Sequence, residues 1–208
     1  MHTRKRLCAL ALVLCMTAGT VLAATQYSDV NEDDWYYEAV GYVSAQTIMS
    51  GISDVRFAPE GLVTRAMVAV VPWRLAGAPA PADGDTALFY DVAPDAWYAS
   101  AVAWAQQADV ASGYGTGAFG PGDNVTREQL AIFLWRYARL AGMELADGVL
   151  TIYEDEDAIS AWALEGMKHA VGAGLIAGKT GNLLDPGGVA TRGELAVILR
   201  RLMTPAAG

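Results

Sequence analysis

The stretch GYGTGAFGPGDNVTREQLA runs from Gly113 to Ala131 and joins a glycine-rich loop to a helix start. Thr126 has the character of an N-cap, and Gln129, three residues on, completes a capping box with it. Leu130, Phe133, Leu134 and Tyr137 follow at i, i+3, i+4 and i+7, the spacing of one apolar helix face. Arg127 is then out of place. It occupies the first helical turn, where the helix dipole is positive and disfavours a cation by roughly 0.3–1 kcal/mol.

The same arrangement recurs at Thr64-Arg65 and Thr191-Arg192. Searching outward for a repeat gives Trp35, Gly51 and Arg65, then Trp97, Gly113 and Arg127, then Trp162, Gly178 and Arg192. The spacing Trp-x15-Gly-x13-Arg is identical in the three copies, and the copies are offset by 62 and 65 residues. Each copy opens on an aromatic residue followed by acid, read here as Tyr27, Tyr90 and Tyr153 ahead of Asp29, Asp91 and Asp155.

Each copy reads as helix–loop–helix. In the second, Asp95 is the expected N-cap of a helix that carries Trp97, Ala101, Val102, Ala105 and Ala108 on one face. Gly113 is expected to end that segment with a positive φ, as Gly51 and Gly178 do in the other copies. One helix pair cannot bury its single apolar face alone, so the copies must pack on one another. Neither end carries an obvious polar cap, which favours a closed pseudo-threefold cluster over an open solenoid. The fold class is mainly α, three helix-loop-helix repeats around a central helical bundle. The units span 27–82, 88–145 and 151–204. Pro72 falls inside the second helix of copy one and should kink or shorten it.

The first residues read as a secretory signal peptide, residues 1–23. Arg4, Lys5 and Arg6 precede an apolar run beginning at Leu7, and Val21-Leu22-Ala23 is a small-residue cleavage site. The apolar run is too short to span a bilayer with ease. Cys8 and Cys15 leave with the signal, so the mature chain has no disulfide and no thiolate metal site. Without Arg4, Lys5 and Arg6 the 14 Lys and Arg become 11 against 23 Asp and Glu, a net charge of −12. Such a chain has no basic field for nucleic acid or anionic lipid. His169 lacks a Ser, Cys or second His partner, and the acidic run Asp29 to Asp34 fails the calcium-loop pattern at Asp34 and Val40. No cofactor or metal site is expected.

An aromatic-x-Asp-Val opening, Asp-x-Trp-Tyr, a glycine, Phe-x-Pro and Thr-Arg-x-Glu, repeated over three tandem copies with departures such as Met67, Gln129, Ala163 and Leu184, resemble the S-layer homology domain. The resemblance covers almost the whole mature chain, roughly Tyr27 to Met203. It implies a three-pronged spindle that holds a secreted protein non-covalently on the bacterial cell wall. It further implies a secondary cell wall polysaccharide as partner, often carrying a pyruvate ketal, faced by the arginines in grooves between repeats. On that basis Arg65, Arg127 and Arg192 are the expected polysaccharide-binding residues, with Asp29, Asp91 and Asp155 orienting them and Gly113 and Tyr114 lining a groove. A guanidinium grips a planar carboxylate with two parallel hydrogen bonds. Backbone N–H groups at the same helix start are expected to add further anion donors. Copy two keeps every element of the pattern, so the Arg127 groove is expected to dominate. Copy one lacks the capping-box acid, with Met67 in its place, and Arg65 is expected to be held less firmly.

Simpler roles stand beside these. The arginines could be surface residues paired with acids of a neighbouring copy. Trp35, Trp97 and Trp162 could stack on sugars but are more simply core residues at the start of an apolar face. Two other function classes compete with a non-catalytic wall-binding module. One is a self-associating surface-layer subunit, and the other is a wall-glycan hydrolase using carboxylates such as Asp123 and Glu128.

Overall fold

The computed structural model describes residues 26–81 and 89–204. The signal-peptide reading of residues 1–23 lies outside the described residues. Within them the chain forms α1 (Tyr37–Ala45), α2 (Arg65–Leu75), α3 (Ala99–Gln107), α4 (Arg127–Leu140), α5 (Leu164–Gly172) and α6 (Arg192–Met203), with one 3-10 turn at Glu156–Ala158. The described residues contain isolated β-bridges and no sheet. The fold is mainly α, one helix–loop–helix per copy, as the periodicity predicts.

The second helices begin where the capping chemistry places them. Thr64, Thr126 and Thr191 are extended N-caps whose hydroxyls accept from the backbone N–H of Met67, Gln129 and Glu194. The reciprocal half of the box is present in α4 and α6, where the Gln129 and Glu194 side chains accept from the Thr126 and Thr191 N–H. Met67 has no acceptor to offer, so α2 keeps only the threonine half. Pro72 is carried inside α2, and that helix is the shortest of the three, 11 residues against 14 and 12.

The first helices start later than the apolar pattern suggests. α3 begins at Ala99, with Tyr98 in the cap position and no side-chain cap; the turn before it holds Trp97. The positive φ that ends these helices falls on Thr47, Asp109 and Gly174 (φ 55°, 58° and 66°) and not on the glycines expected to supply it. Gly51, Gly113 and Gly178 are required for a different reason. A Cβ on Gly51 would lie 2.5 Å from Tyr27 Cε1, and one on Gly178 would lie 2.7 Å from Tyr153 Cε1. At Gly113 the ring is Phe89, which stands in register with Tyr27 and Tyr153 and is buried, whereas Tyr90 is exposed. The opening aromatic of copy two is therefore Phe89. Each ring sits against a backbone that has no room for a side chain.

The copies close into a ring. Val63 N–H donates to Ala190 O (3.0 Å), Ala190 N–H to Val125 O (3.0 Å), and Val125 N–H to Val63 O (2.9 Å). These residues immediately precede the three capping threonines, so the starts of α2, α4 and α6 meet at one centre. Around it α3 packs on α2, α5 on α4, and α1 on α6. The first helix of each copy thus covers the second helix of the copy before it, cyclically. Val68, Leu130, Leu134, Leu195 and Leu199 belong to one continuous core. Each such side chain contributes roughly 1.5–3 kcal/mol by leaving water. This is the closed pseudo-threefold arrangement expected from the sequence.

Candidate functional site

The three arginines are not surface residues. Arg65, Arg127 and Arg192 are 4%, 5% and 7% exposed. Each leaves the start of its own second helix and enters the loop of the next copy. Arg65 Nε donates to Phe119 O (2.7 Å) and Nη2 to Ser112 O (2.9 Å). Arg127 makes the same pair with Leu184 O (2.8 Å) and Ala177 O (2.9 Å). Arg192 makes it with Phe57 O (2.9 Å) and Ser50 O (2.6 Å), returning from copy three to copy one. Arg65 and Arg192 are therefore held by the same pair of bonds as Arg127, contrary to the expectation for Arg65. Burial in these sockets lowers the Arg65 and Arg192 pKa from the usual arginine value. The rings of Phe119 and Phe57 partly replace the lost water, lying 4.8 and 4.5 Å from the guanidinium carbons.

The backbone donors at these helix starts are occupied as well. Arg65 and Ala66 N–H donate to Asp123 O and Pro121 O; Arg127 and Glu128 N–H donate to Gly188 O and Pro186 O. Arg192 and Gly193 N–H donate to Gly61 O and Pro59 O. The next donor along each helix goes to the capping threonine. The orphan N–H groups of each helix start are satisfied by the neighbouring copy and are not free for an anion, which corrects the expected role of the helix terminus.

Asp29, Asp91 and Asp155 act one step back from the guanidinium. Asp91 accepts from Phe119 and Gly120 N–H (2.8 and 2.7 Å), Asp29 from Phe57 and Ala58 N–H (both 2.8 Å), and Asp155 from Leu184 and Asp185 N–H (both 2.7 Å). The peptide each carboxylate grips is the one whose carbonyl receives the incoming arginine Nε. Burial pushes the Asp29 and Asp91 carboxyls up, but these backbone bonds outweigh it and hold both below the ordinary carboxylate range.

What remains of each arginine is Nη1 and the second hydrogen of Nη2. In Arg65 and Arg192 Nη1 has no protein hydrogen-bond partner among the described residues and is not sealed from solvent. In Arg127 it donates to Glu194 Oε1 at 3.1 Å. Tyr114 lies 4.5 Å from the Arg65 guanidinium and donates its hydroxyl to Asp123 Oδ2 (2.9 Å), placing both at the mouth of that groove. Gly113 lies beneath, next to the Ser112 carbonyl that holds Arg65. Arg192 lines a cavity of about 470 Å³ with Gly51, Ile52, Met67 and Trp97.

The tryptophans correct the core reading. Trp35, Trp97 and Trp162 are 65%, 64% and 57% exposed. Apolar spacing pointed to burial, but the residues precede the helices and only edge onto Tyr36 and Tyr98 in the first two copies. Sequence reasoning also missed Glu194 as part of the arginine site. The signal was that only copy three has an acid at the third position of its second helix. The carboxylates proposed for hydrolysis have other engagements. Asp123 accepts from Tyr114, while Glu128 is buried and accepts from Ser160 N–H (2.9 Å) and Oγ (3.0 Å), tying copy two to copy three. No described helix is long and apolar enough to cross a membrane.

The model of the S-layer homology domain matches residues 26–67, 88–131 and 152–196, one match per copy. The exoglucanase XynX of Acetivibrio thermocellus is 29% identical over 188 residues, which is 89% of this chain and 17% of that protein. An amylopullulanase of Thermoanaerobacterium thermosulfurigenes is 30% identical over 178 residues, 85% of this chain and 9% of that protein. The surface-layer 125 kDa protein of Lysinibacillus sphaericus is 29% identical over 185 residues, 87% of this chain and 15% of that protein. The chain thus spans under a fifth of each of these relatives.

Proposed function

Because this chain belongs to the S-layer homology domain family, whose non-catalytic modules anchor proteins to the cell wall, we propose that its grooves bind an acidic secondary cell wall polysaccharide through their arginines. The observation that carries the reading is a buried cation with N–H donors left over. Arg65 and Arg192 are fixed by two carbonyls each, yet Nη1 reaches the groove unpaired. The fixing bonds order the side chain before any ligand arrives, so little conformational freedom is lost on binding. A pyruvate ketal on a neutral sugar presents the carboxylate that this nitrogen lacks. The two carbonyls occupy the Nε–Nη2 edge, so the sugar carboxylate meets the remaining Nη1 and Nη2 hydrogens, a charge-assisted contact to the outer end of the guanidinium.

Exposed Trp97 lines the Arg192 cavity and offers an apolar face for a sugar ring beside the charge. The net charge of −12 without the leader opposes an acidic polymer at long range, which makes binding depend on these local sites. The acidic relay of Asp29, Asp91 and Asp155 supports the arginines without touching the ligand.

The test is retention on purified cell walls, before and after the secondary polymer is stripped. Wild-type protein should be retained only by unstripped walls. Trp97→Ala should weaken retention while leaving the melting temperature unchanged, because the side chain is mostly in water. Equal retention on stripped walls would refute the reading.

A further inference from the structure

We infer that the cavity beside Trp73 in copy one is a second sugar subsite, continuous with the Arg192 groove, that takes a neutral sugar next to the acidic one. The inference rests on the polysaccharide reading above and deepens it from one sugar to two.

The cavity lies where the end of α1 meets the last turn of α2, and its volume is about 400 Å³. Small-ligand sites run from roughly 300 to 1,000 Å³ and combine aromatic walls with a few polar groups that fix orientation. Trp73 supplies the wall. Its Nε1 donates to Pro79 O at 2.8 Å, which pins the half-buried indole against the linker to copy two. Gln46, Thr47 and Ser50 supply the polar groups, and their side chains make no hydrogen bond to another described residue. A pyranose matches this lining, because it has apolar C–H faces for an indole and a rim of hydroxyls for amide and hydroxyl groups.

Ile48, Ser50 and Arg74 line both this cavity and that of Arg192. The shared wall is rigid, since Ser50 O accepts from Arg192 Nη2 (2.6 Å) and Ile48 O from Arg74 Nη1 (3.0 Å). A polymer leaving the Arg192 groove over Ser50 therefore enters the Trp73 cavity directly. Beyond the shared wall the polar groups are Gln46 and Thr47, both neutral, so the sugar that meets Trp73 needs no charge. Two linked sugars in adjoining subsites bind more tightly than either alone, because the second contact is intramolecular.

The other copies have no such subsite. Trp135, in register with Trp73, is covered by the His169 ring, stacked at 5.7 Å and 12°, and by the Arg139 guanidinium at 4.9 Å. Arg200 takes the position in copy three and pairs with Glu38 at 2.6 Å. Trp73 has no ring or cation partner among the described residues. Thr47 separates the copies in the same way. It is exposed and held at φ 55°, a left-handed conformation unusual for a β-branched residue. Asp109 and Gly174, at φ 58° and 66°, stand at the matching positions and suit that conformation. Copy one thus keeps a strained hydroxyl at the rim of this cavity, where the other copies carry residues that relieve the strain.

Two probes separate the subsites. A methyl hexoside carrying a pyruvate ketal fills the Arg192 groove alone, and the secondary polysaccharide released from purified walls spans both. Each is titrated by calorimetry into the full chain. Trp73→Ala should weaken polysaccharide binding about tenfold and leave hexoside binding unchanged. That variant also loses the bond to Pro79, so its melting temperature is measured first, and Thr47→Gly serves as the variant that keeps the indole. Thr47→Gly should melt higher than wild type, by release of the left-handed strain, yet bind the polysaccharide more weakly. Unchanged polysaccharide affinity in Trp73→Ala, or in Thr47→Gly where Trp73→Ala does not fold, overturns the inference and leaves the acidic-sugar reading standing. An equal loss for the two probes does the same, because it places the effect in the Arg192 groove. Failure of wild type to bind the polysaccharide overturns both.

Discussion

Replacing Arg192 with alanine removes a side chain that bonds two carbonyls more than a hundred residues away in the chain. The bonds to Phe57 O at 2.9 Å and Ser50 O at 2.6 Å are charge-assisted, and the guanidinium carbon lies 4.5 Å from the Phe57 ring centre. Each hydrogen bond from a charged donor is worth about 1.5–3 kcal/mol, so the pair contributes roughly 3–6 kcal/mol. Water entering the vacated socket to meet the carbonyls, and relief of the desolvated charge, move the net loss toward the lower figure. Set against a total of roughly 5–15 kcal/mol for a natural domain, this is a large fraction. Melting should fall by about 6–24 °C, at roughly 2–4 °C per kcal/mol for a domain of this size. Urea unfolding followed by far-ultraviolet circular dichroism measures it directly. Arg192→Lys should recover less than half, because one ammonium cannot span both carbonyls in the fixed fork of a guanidinium. A loss within about 1 kcal/mol for Arg192→Ala, the ordinary scatter of surface substitutions, would show that the interlock between copies three and one is not what holds them. It also follows that loss of wall binding in an arginine-to-alanine variant is uninterpretable without its melting curve.

Gly113→Ala should cost about 1–3 kcal/mol, read as a lowered melting temperature, because the new methyl group meets Phe89 and the Ala118 carbonyl with no room to relax. The same change at Gly122, where nothing lies within 4 Å, should leave stability nearly unchanged. Acid should unfold the protein through Asp29 and Asp91. Their folded pKa values lie below the unfolded carboxylate value near ~3.9, so their stabilisation is complete above that pH and disappears as pH falls through the folded values. Urea midpoints should therefore be flat with respect to these two groups from neutrality to about pH 5 and drop below about pH 4. Asp91→Asn should be less stable at neutrality and less sensitive to acid.

The second helices and the repeat itself could be read from the chain. Thr126 and Gln129 declared a helix start by their own chemistry, and the fixed spacing of Trp, Gly and Arg declared three copies. The apolar faces of α4 and α6 required partners, and the lack of polar ends favoured closure. What could not be read depends on which copy touches which. Arg127 resembled an exposed ligand-binding cation because nothing in its own copy shows that its socket lies in the next one. Trp97 resembled core because its spacing fits a helix that begins two residues later. Gly113 fits the expectation of a helix-ending turn, yet it is glycine because Phe89 covers it from 24 residues upstream. Phe89 itself was within reach, since the 62-residue offset from Tyr27 lands on it and not on Tyr90.

The Val63–Val125–Ala190 hydrogen-bond circle also fixes how many units the molecule can have. In an open stack, duplication of one unit lengthens the array and deletion shortens it, and each remaining joint is unaffected. Here every unit both gives an arginine and receives one, and the third gives to the first. A fourth unit spliced anywhere would have to break a joint to enter, and its own arginine would compete for a socket already filled. Deleting one would strand an arginine on one side of the gap and leave an empty pair of carbonyls on the other. Unequal recombination within such a gene therefore yields products with unmatched buried groups. A triplet that keeps every socket filled has to move from one protein to another as a whole.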